Sequence, residues 1–171
     1  MGMDVYGKMP KNEVGEYFRR NVWGWRPLWD YCVDNFPELV GEVSGHYNDG
    51  DGLNADGSLE LAKLIRAQIK DGSAQNYIQE RNNHLASLER PACDLCQGTG
   101  IRTDAVGVEN GMPTRALSPE MSMLTGRTHG YCNGCQGEGK KDAWETNYGL
   151  DLEDIEEFAE FLENCGGFEI C

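Results

Sequence analysis

The strongest constraint on this 171-residue chain is a repeated octapeptide, CDLCQGTG over 93–100 and CNGCQGEG over 132–139. Both spell C-x-x-C-x-G-x-G. A C-x-x-C pair sets two thiolates about one turn apart, facing a common centre. Two such pairs complete a tetrahedral four-sulfur site, the arrangement that structural zinc prefers. The glycines two and four places after each second cysteine let the chain reverse without a Cβ penalty, so that backbone amides can turn toward the sulfurs. Cys93, Cys96, Cys132 and Cys135 are therefore the expected ligands of one Zn²⁺. Four thiolates on a divalent ion leave excess negative charge, which amides and the neighbouring Arg127, Lys140 or Lys141 can offset. Four cysteine ligands also close the coordination shell, so the zinc reads as structural and not catalytic.

The other cysteines agree with an intracellular metal site. The total of seven is odd, and the opening MGMDVYGKMP has no basic region followed by an apolar run, which argues against a secreted disulfide framework. Tyr6 stands where a myristoylation motif needs Ser or Thr, and no apolar run is long enough to span a membrane. The expected location is cytoplasmic. A redox dithiol would need only one C-x-x-C in a βαβ setting, which this chain lacks. Cys32, Cys165 and Cys171 read as small buried hydrophobes.

The paired motif resembles the cysteine-rich zinc centre of DnaJ-type chaperones, where C-x-x-C-x-G-x-G repeats pair around zinc. Here there are two repeats rather than four, which implies one zinc, and no His-Pro-Asp of a J domain occurs. The resemblance is confined to 93–100 and 132–139 and does not carry the chaperone function with it. Over nearly its whole length, the chain also resembles a group of bacteriophage and bacterial proteins. The features shared are MGMDVYG, GEYFRRNVWGWRPLWDYC, GHYNDGDGL, the two cysteine motifs, TGRTHGYCNGC and CGGFEIC. That resemblance implies a compact, phage-encoded protein acting in the host cytoplasm.

Around the cysteines, periodicity and turn chemistry predict an α+β fold, a small helix-rich domain with a minor sheet and one four-cysteine zinc knuckle pair. Residues 1–92 form the first part of the main domain. Met3–Tyr6 alternates as a strand, Pro27 fits the first turn of a helix through Cys32, and 45–57 is a glycine-rich loop. A hairpin of two helices is expected over 55–89, turning at Gly72. Residues 93–139 form a zinc-binding insertion, in which Asn110-Gly111 signals a ribbon turn after Val106–Val108. Residues 140–171 supply an acidic helix capped by Asp151 and a strand, completing the main domain.

Several segments carry chemistry-bearing residues with two readings each. In 17–26, YFRRNVWGWR, the residues Arg19, Trp23, Trp25 and Arg26 form either a stacking and cation–π surface or core and helix-packing contacts. In HYNDGDG, His46 beside Asp49 and Asp51 offers either a base and cation ligands or a solvated turn and helix cap. The EF-hand pattern fails there, since Leu53 stands at an oxygen-ligand position. Arg127 and His129 either bind phosphate or neutralise the thiolates.

The net charge is -14, and residues 142–171 carry ten acids and no base. Phosphate contacts need Lys and Arg, so general nucleic-acid binding is disfavoured, and a direct nucleic-acid role would be local to the near-neutral 90–141. No hydrolase elbow, phosphate loop, zinc-protease helix or dinucleotide fingerprint occurs. The expectation is a zinc-stabilised, acidic binding or regulatory protein acting on a host or phage protein, such as a defence or nucleic-acid-processing enzyme. The alternative is a small enzyme or nucleotide-binding protein using 17–30 with His46, Asp49 and Asp51.

Overall fold

In the computed structural model, which describes residues 2–171, strand β1 (Gly2–Gly7) is followed by a one-turn helix α1 (Glu13–Glu16) and strand β2 (Tyr17–Asn21). Helices α2 (Val22–Asn35), α3 (Pro37–Val40), α4 (Ala55–Asp71) and α5 (Ser73–Ser87) come next. The short helices α6 (Ala105–Glu109) and α7 (Pro119–Thr125) lie in the cysteine-bearing region, and α8 (Leu152–Asn164) leads into β3 (Phe168–Ile170). The class is α+β as expected, with helices predominating and an antiparallel three-stranded sheet of order β2-β1-β3. The chain divides into two units, Met1–His84 with Asn147–Cys171, and Leu85–Thr146.

In the first unit the alternation of Met3-Asp4-Val5-Tyr6 sets the sheet. Met3 and Val5 are buried with Phe18 and Ile170, while Tyr6, Tyr17 and Arg19 face solvent. Helix α2 begins five residues before Pro27, because the Asn21 side chain caps it by accepting the Trp23 and Gly24 amides. Pro27 therefore lies inside the helix and not in its first turn, where it has no N–H to give to the helical ladder. Trp25, Leu28, Trp29 and Tyr31 of α2 join Ile155, Phe158, Phe161 and Leu162 of α8 in the core, each nearly or wholly buried. Trp25 stacks on Trp29 at 5.7 Å and meets Phe158 edge-on at 5.7 Å. Each such side chain contributes roughly 1.5–3 kcal/mol of burial free energy.

The helix hairpin expected over 55–89 is not formed. Helix α4 runs along α8, tied by Arg66 to Glu163 at 2.9 Å, and not along α5. The reason is the linker: Gly72, at φ +86°, is the one residue between α4 and α5, shorter than the two to five that reverse a helix pair. Helix α5 instead buries Ala74 and Ile78, and its Tyr77 meets Tyr31 edge-on at 5.2 Å and donates to Asp34 at 2.8 Å. The capping of α8 by Asp151 is as expected, with a reciprocal capping box through Asp154.

The second unit closes where its two ends pair. Ala92 bridges Lys140, Cys93 donates to the Gly139 carbonyl at 2.8 Å, and Lys141 donates to that of Pro91 at 2.9 Å. The ribbon expected at Val106–Val108 is instead α6. Asp104 caps it through the Gly107 amide, and Asn110-Gly111 ends it, with Gly111 at φ +65°. A shorter ribbon forms further on, where Ala116 bridges His129 and Leu117 donates to the Thr128 carbonyl at 3.0 Å. Cys32 and Cys165 are buried as expected, but Cys171 is exposed. Among the described residues no helix is long and apolar enough to cross a membrane.

Candidate metal centre

Cys93, Cys96, Cys132 and Cys135 are all buried, and their sulfurs lie within 4.8 Å of one another. Cys93 Sγ is 3.9 Å from Cys132 Sγ, and Cys96 Sγ is 3.7 Å from Cys135 Sγ, too far for disulfides. Each knuckle folds in the same way. The amides of Gly98 and Gly137 return to the carbonyls of Cys93 and Cys132 at 3.2 and 3.1 Å. The amides of Gly100 and Gly139 then point at the sulfurs of Cys96 and Cys135, both at 3.2 Å. These two N–H donors favour the thiolate form.

Cys96, Cys132 and Cys135 titrate unequally. Burial works against all three thiolates, yet the Gly100 amide and the neighbouring thiols hold Cys96 below its ordinary range. Burial pushes Cys132 up, and Cys135 is pushed up to about 12. Four sulfurs this close cannot all carry charge without a cation among them. The donor set, its burial and its amide support are suited to a structural metal ion.

Neither a family model, nor a curated protein, nor a solved structure matches this chain.

The two knuckles are joined by Arg127. Its guanidinium donates to the Thr99 carbonyl at 2.8 Å and to that of Gly137 at 2.6 Å, one in each knuckle. His129 is exposed, with its Nδ1 3.0 Å from the Thr128 hydroxyl. Three other cations of this unit are matched by acids, Arg90 with Glu138 and Asp142, Arg102 with Asp104, and Lys141 with Asp94, while Arg115 and Lys140 form no ion pair among the described residues. Little positive charge is left for a phosphate backbone.

The candidates of the first unit are only partly brought together. Trp25 belongs to the core and donates its indole N–H to the Gly45 carbonyl at 2.7 Å. Trp23 is exposed, 4.8 Å from the Tyr148 ring. Arg19 pairs with Asp4 across the outer face of the sheet at 3.4 Å. Arg26 is exposed on α2. In the loop, the Asp51 carboxylate accepts the Ser44 and Gly52 amides at 2.7 and 2.8 Å, and Asp49 accepts the Asp51 amide at 3.3 Å. Both carboxylates thus serve the turn.

His46 pairs elsewhere, its Nε2 3.1 Å from Asp30 Oδ1 on α2, while its buried Nδ1 has no hydrogen-bond partner among the described residues. Burial pushes the Asp30 carboxyl up, with His46 pulling in the other direction. Asp30 carried no motif in the sequence; its i+4 relation to Arg26 on a helix face was the available signal. Gln97 and Gln136 were likewise missed. They are non-glycine residues at positive φ, +52° and +53°, and occupy the same place in each repeat.

Proposed function

We propose that the four cysteines hold one Zn²⁺, and that the chain is an acidic, zinc-stabilised binding protein with no chemistry at the metal. One observation carries the metal reading. A Zn–S bond of about 2.3 Å sets the sulfurs of a regular tetrahedron about 3.8 Å apart. Two of the four cross-knuckle pairs stand at 3.9 and 3.7 Å, and all four sulfurs lie within 4.8 Å of one another. Cys93, Cys96, Cys132 and Cys135 fill all four positions, leaving no place for a reactive water. Protein prepared without chelator is expected to carry about one zinc per chain by elemental analysis, and less than about half an equivalent overturns the assignment.

The binding role rests on the charge excess and on the absence of catalytic signatures from the sequence. A surface with net charge -14 favours a basic partner, by steering and by rim contacts. The resemblance to phage and bacterial proteins directs this reading to a host or phage protein in the host cytoplasm. The test is a cross-linking experiment in infected cells with the tagged chain, repeated with a Cys96→Ser variant. A partner captured only by the metal-competent chain, with altered infection when the chain is deleted, supports it. No partner and no phenotype overturn it. The enzyme or nucleotide-binding alternative retains one observation, the His46–Asp30 pair. A thermal-shift screen over nucleotides and divalent ions tests that reading directly.

A further inference from the structure

The second unit has a concavity of about 350 Å³ lined by Arg115, Ala116, Leu117, Ser118, Met121, Tyr131 and Gln136. Three other concavities each contain a cation already matched by a carboxylate of the same lining: Arg90 with Glu138, Arg20 with Asp154, and Arg90 with Asp142. The lining around Arg115 contains no acid. Arg115 is exposed and forms no ion pair among the described residues, in a chain with 29 acids and 15 bases.

The guanidinium of Arg115 lies over the Tyr131 ring at 5.4 Å, and its one hydrogen-bonding contact among the described residues is with the Met112 sulfur at 3.9 Å. Stacking occupies the flat face of a guanidinium and leaves the donors at its edge for an anion. The backbone holds the pair in place: Gly130 donates to the Arg115 carbonyl at 2.9 Å, and Tyr131 donates to that of Met112 at 2.8 Å. The knuckle wall adds a second polar group. Gln97 spends its side-chain amide on the Asp94 carbonyl at 2.9 Å, whereas Gln136, its counterpart in the other repeat, has no internal partner among the described residues. Leu117 and Met121 supply apolar surface beside these groups.

We infer that this concavity is a binding site for a carboxylate carried on an aromatic or branched aliphatic group. Arg115 receives the carboxylate edge-on, the Gln136 amide supplies a further donor, and Leu117, Met121 and Tyr131 take the apolar body. One guanidinium balances a monoanion. A phosphate would bring two charges into a chain of net charge -14, against a partly apolar wall and with a single arginine to meet them. Both a free organic acid and the C-terminus of a polypeptide carry this chemistry.

The inference goes beyond the proposed function but relies on the metal to hold the Gln136 wall. The zinc-loaded, ¹⁵N-labelled full chain is titrated with N-acetyl-L-phenylalanine, its uncharged amide, inorganic phosphate, and a tripeptide ending in a free phenylalanine carboxylate. The expected result is saturable shifts at Tyr131 and Gln136 with the acid and not with the amide. Equal shifts with acid and amide, no shifts with either, or tighter binding of phosphate overturn the inference. A tripeptide binding more tightly than the free acid assigns the site to a polypeptide end, and equal or weaker binding assigns it to a small acid.

Arg115→Gln, checked for zinc content and a dispersed spectrum, is expected to weaken acid binding by roughly tenfold or more, with Lys70→Gln on the exposed face of α4 unchanged. Should Arg115→Gln fail to fold, Arg115→Lys keeps the charge and loses the fork; unchanged affinity in either variant overturns the assignment. A zinc-loaded chain that ignores the acid refutes this site alone. A chain that carries no zinc when prepared without chelator, and still binds the acid, refutes the zinc reading alone.

Discussion

A Cβ on Gly139 would stand 2.3 Å from the carbonyl oxygen of Gly98, and a Cβ on Gly100 would stand 2.3 Å from that of Gly137. The last glycine of each repeat thus packs bare backbone against the next-to-last glycine of the other. The same two residues turn their amides toward Cys135 and Cys96, and both hold positive φ, +84° and +72°. Gly139→Ala is therefore expected to combine a left-handed penalty of about 1 kcal/mol with a backbone clash that must shift one knuckle. The measurement is the rate of metal loss to a chelator, which should rise several-fold. An unchanged rate would show that the knuckles do not interlock through these glycines.

The opposite substitution should help at Gln97 and Gln136, which adopt φ +52° and +53° without being glycine. Replacing either with Gly relieves about 1 kcal/mol of left-handed strain. Gln97→Gly also loses the bond from its amide to the Asp94 carbonyl, so its gain should be the smaller of the two. Chelator-dependent melting of the zinc-loaded chain gives the order: Gln136→Gly highest, then Gln97→Gly, then the parent.

The cysteine repeats made the four-sulfur cluster legible, because cysteine spacing and glycine placement are local properties of eight residues. Strong local signals also read correctly elsewhere: the alternation of β1, the stop at Gly72, the cap at Asp151. What failed depended on tertiary choice. The stripe on α4 looked like one half of a hairpin, yet Leu61 and Ile65 are buried in the core of a unit in which α4 runs along α8. Pro27 looked like a helix start, but Asn21 offered a better cap and packing on α8 carried α2 through the proline. Asn110-Gly111 looked like a hairpin turn, where Asp104 had already started a helix that the same two residues end. The positions of His46 beside Asp30 and Arg115 over Tyr131 follow from the whole chain path, and no local spacing announces them.

Acid should release the metal. Binding requires thiolates, and burial holds Cys132 and Cys135 above their ordinary range in the metal-free protein. Metal uptake therefore expels protons, and apparent affinity falls as pH is lowered. A chelator that leaves the loaded chain intact at about pH 8 is expected to strip it at about pH 5. Amide signals of Leu85–Thr146 should then lose dispersion, while a Cys96→Ser variant should show the stripped spectrum at both pH values. Equal resistance at both would mean that the sulfurs are not the ligands.

Gly45 tests whether the polar loop is a site or a strut. A Cβ there would meet the Trp29 ring at 1.9 Å, and the Gly45 carbonyl already accepts the Trp25 indole N–H. Both rings belong to a stacked, buried pair that cannot rotate away. Gly45→Ala is expected to destabilise the first unit by about 1–3 kcal/mol, measured by urea denaturation. The loss should be accompanied by a changed indole fluorescence maximum. A loop that tolerates alanine would have to be detached from this core.

The acid side of the same loop turns on Asp51. Its carboxylate accepts the Ser44 and then the Gly52 amide, and these bonds hold its pKa below the usual aspartate range. A carboxylate depressed in the folded state contributes stability above its unfolded pKa of about 3.9, and the contribution disappears as pH falls through the lower folded value. Asp51→Asn keeps the shape but replaces a charged acceptor with a neutral one. The variant should be less stable than the parent near pH 7, and the gap should narrow as the pH drops below about 4. Urea midpoints measured across that window test the sign. A gap that widens in acid would mean that the protonated carboxyl, and not the carboxylate, is what the Ser44 and Gly52 amides support.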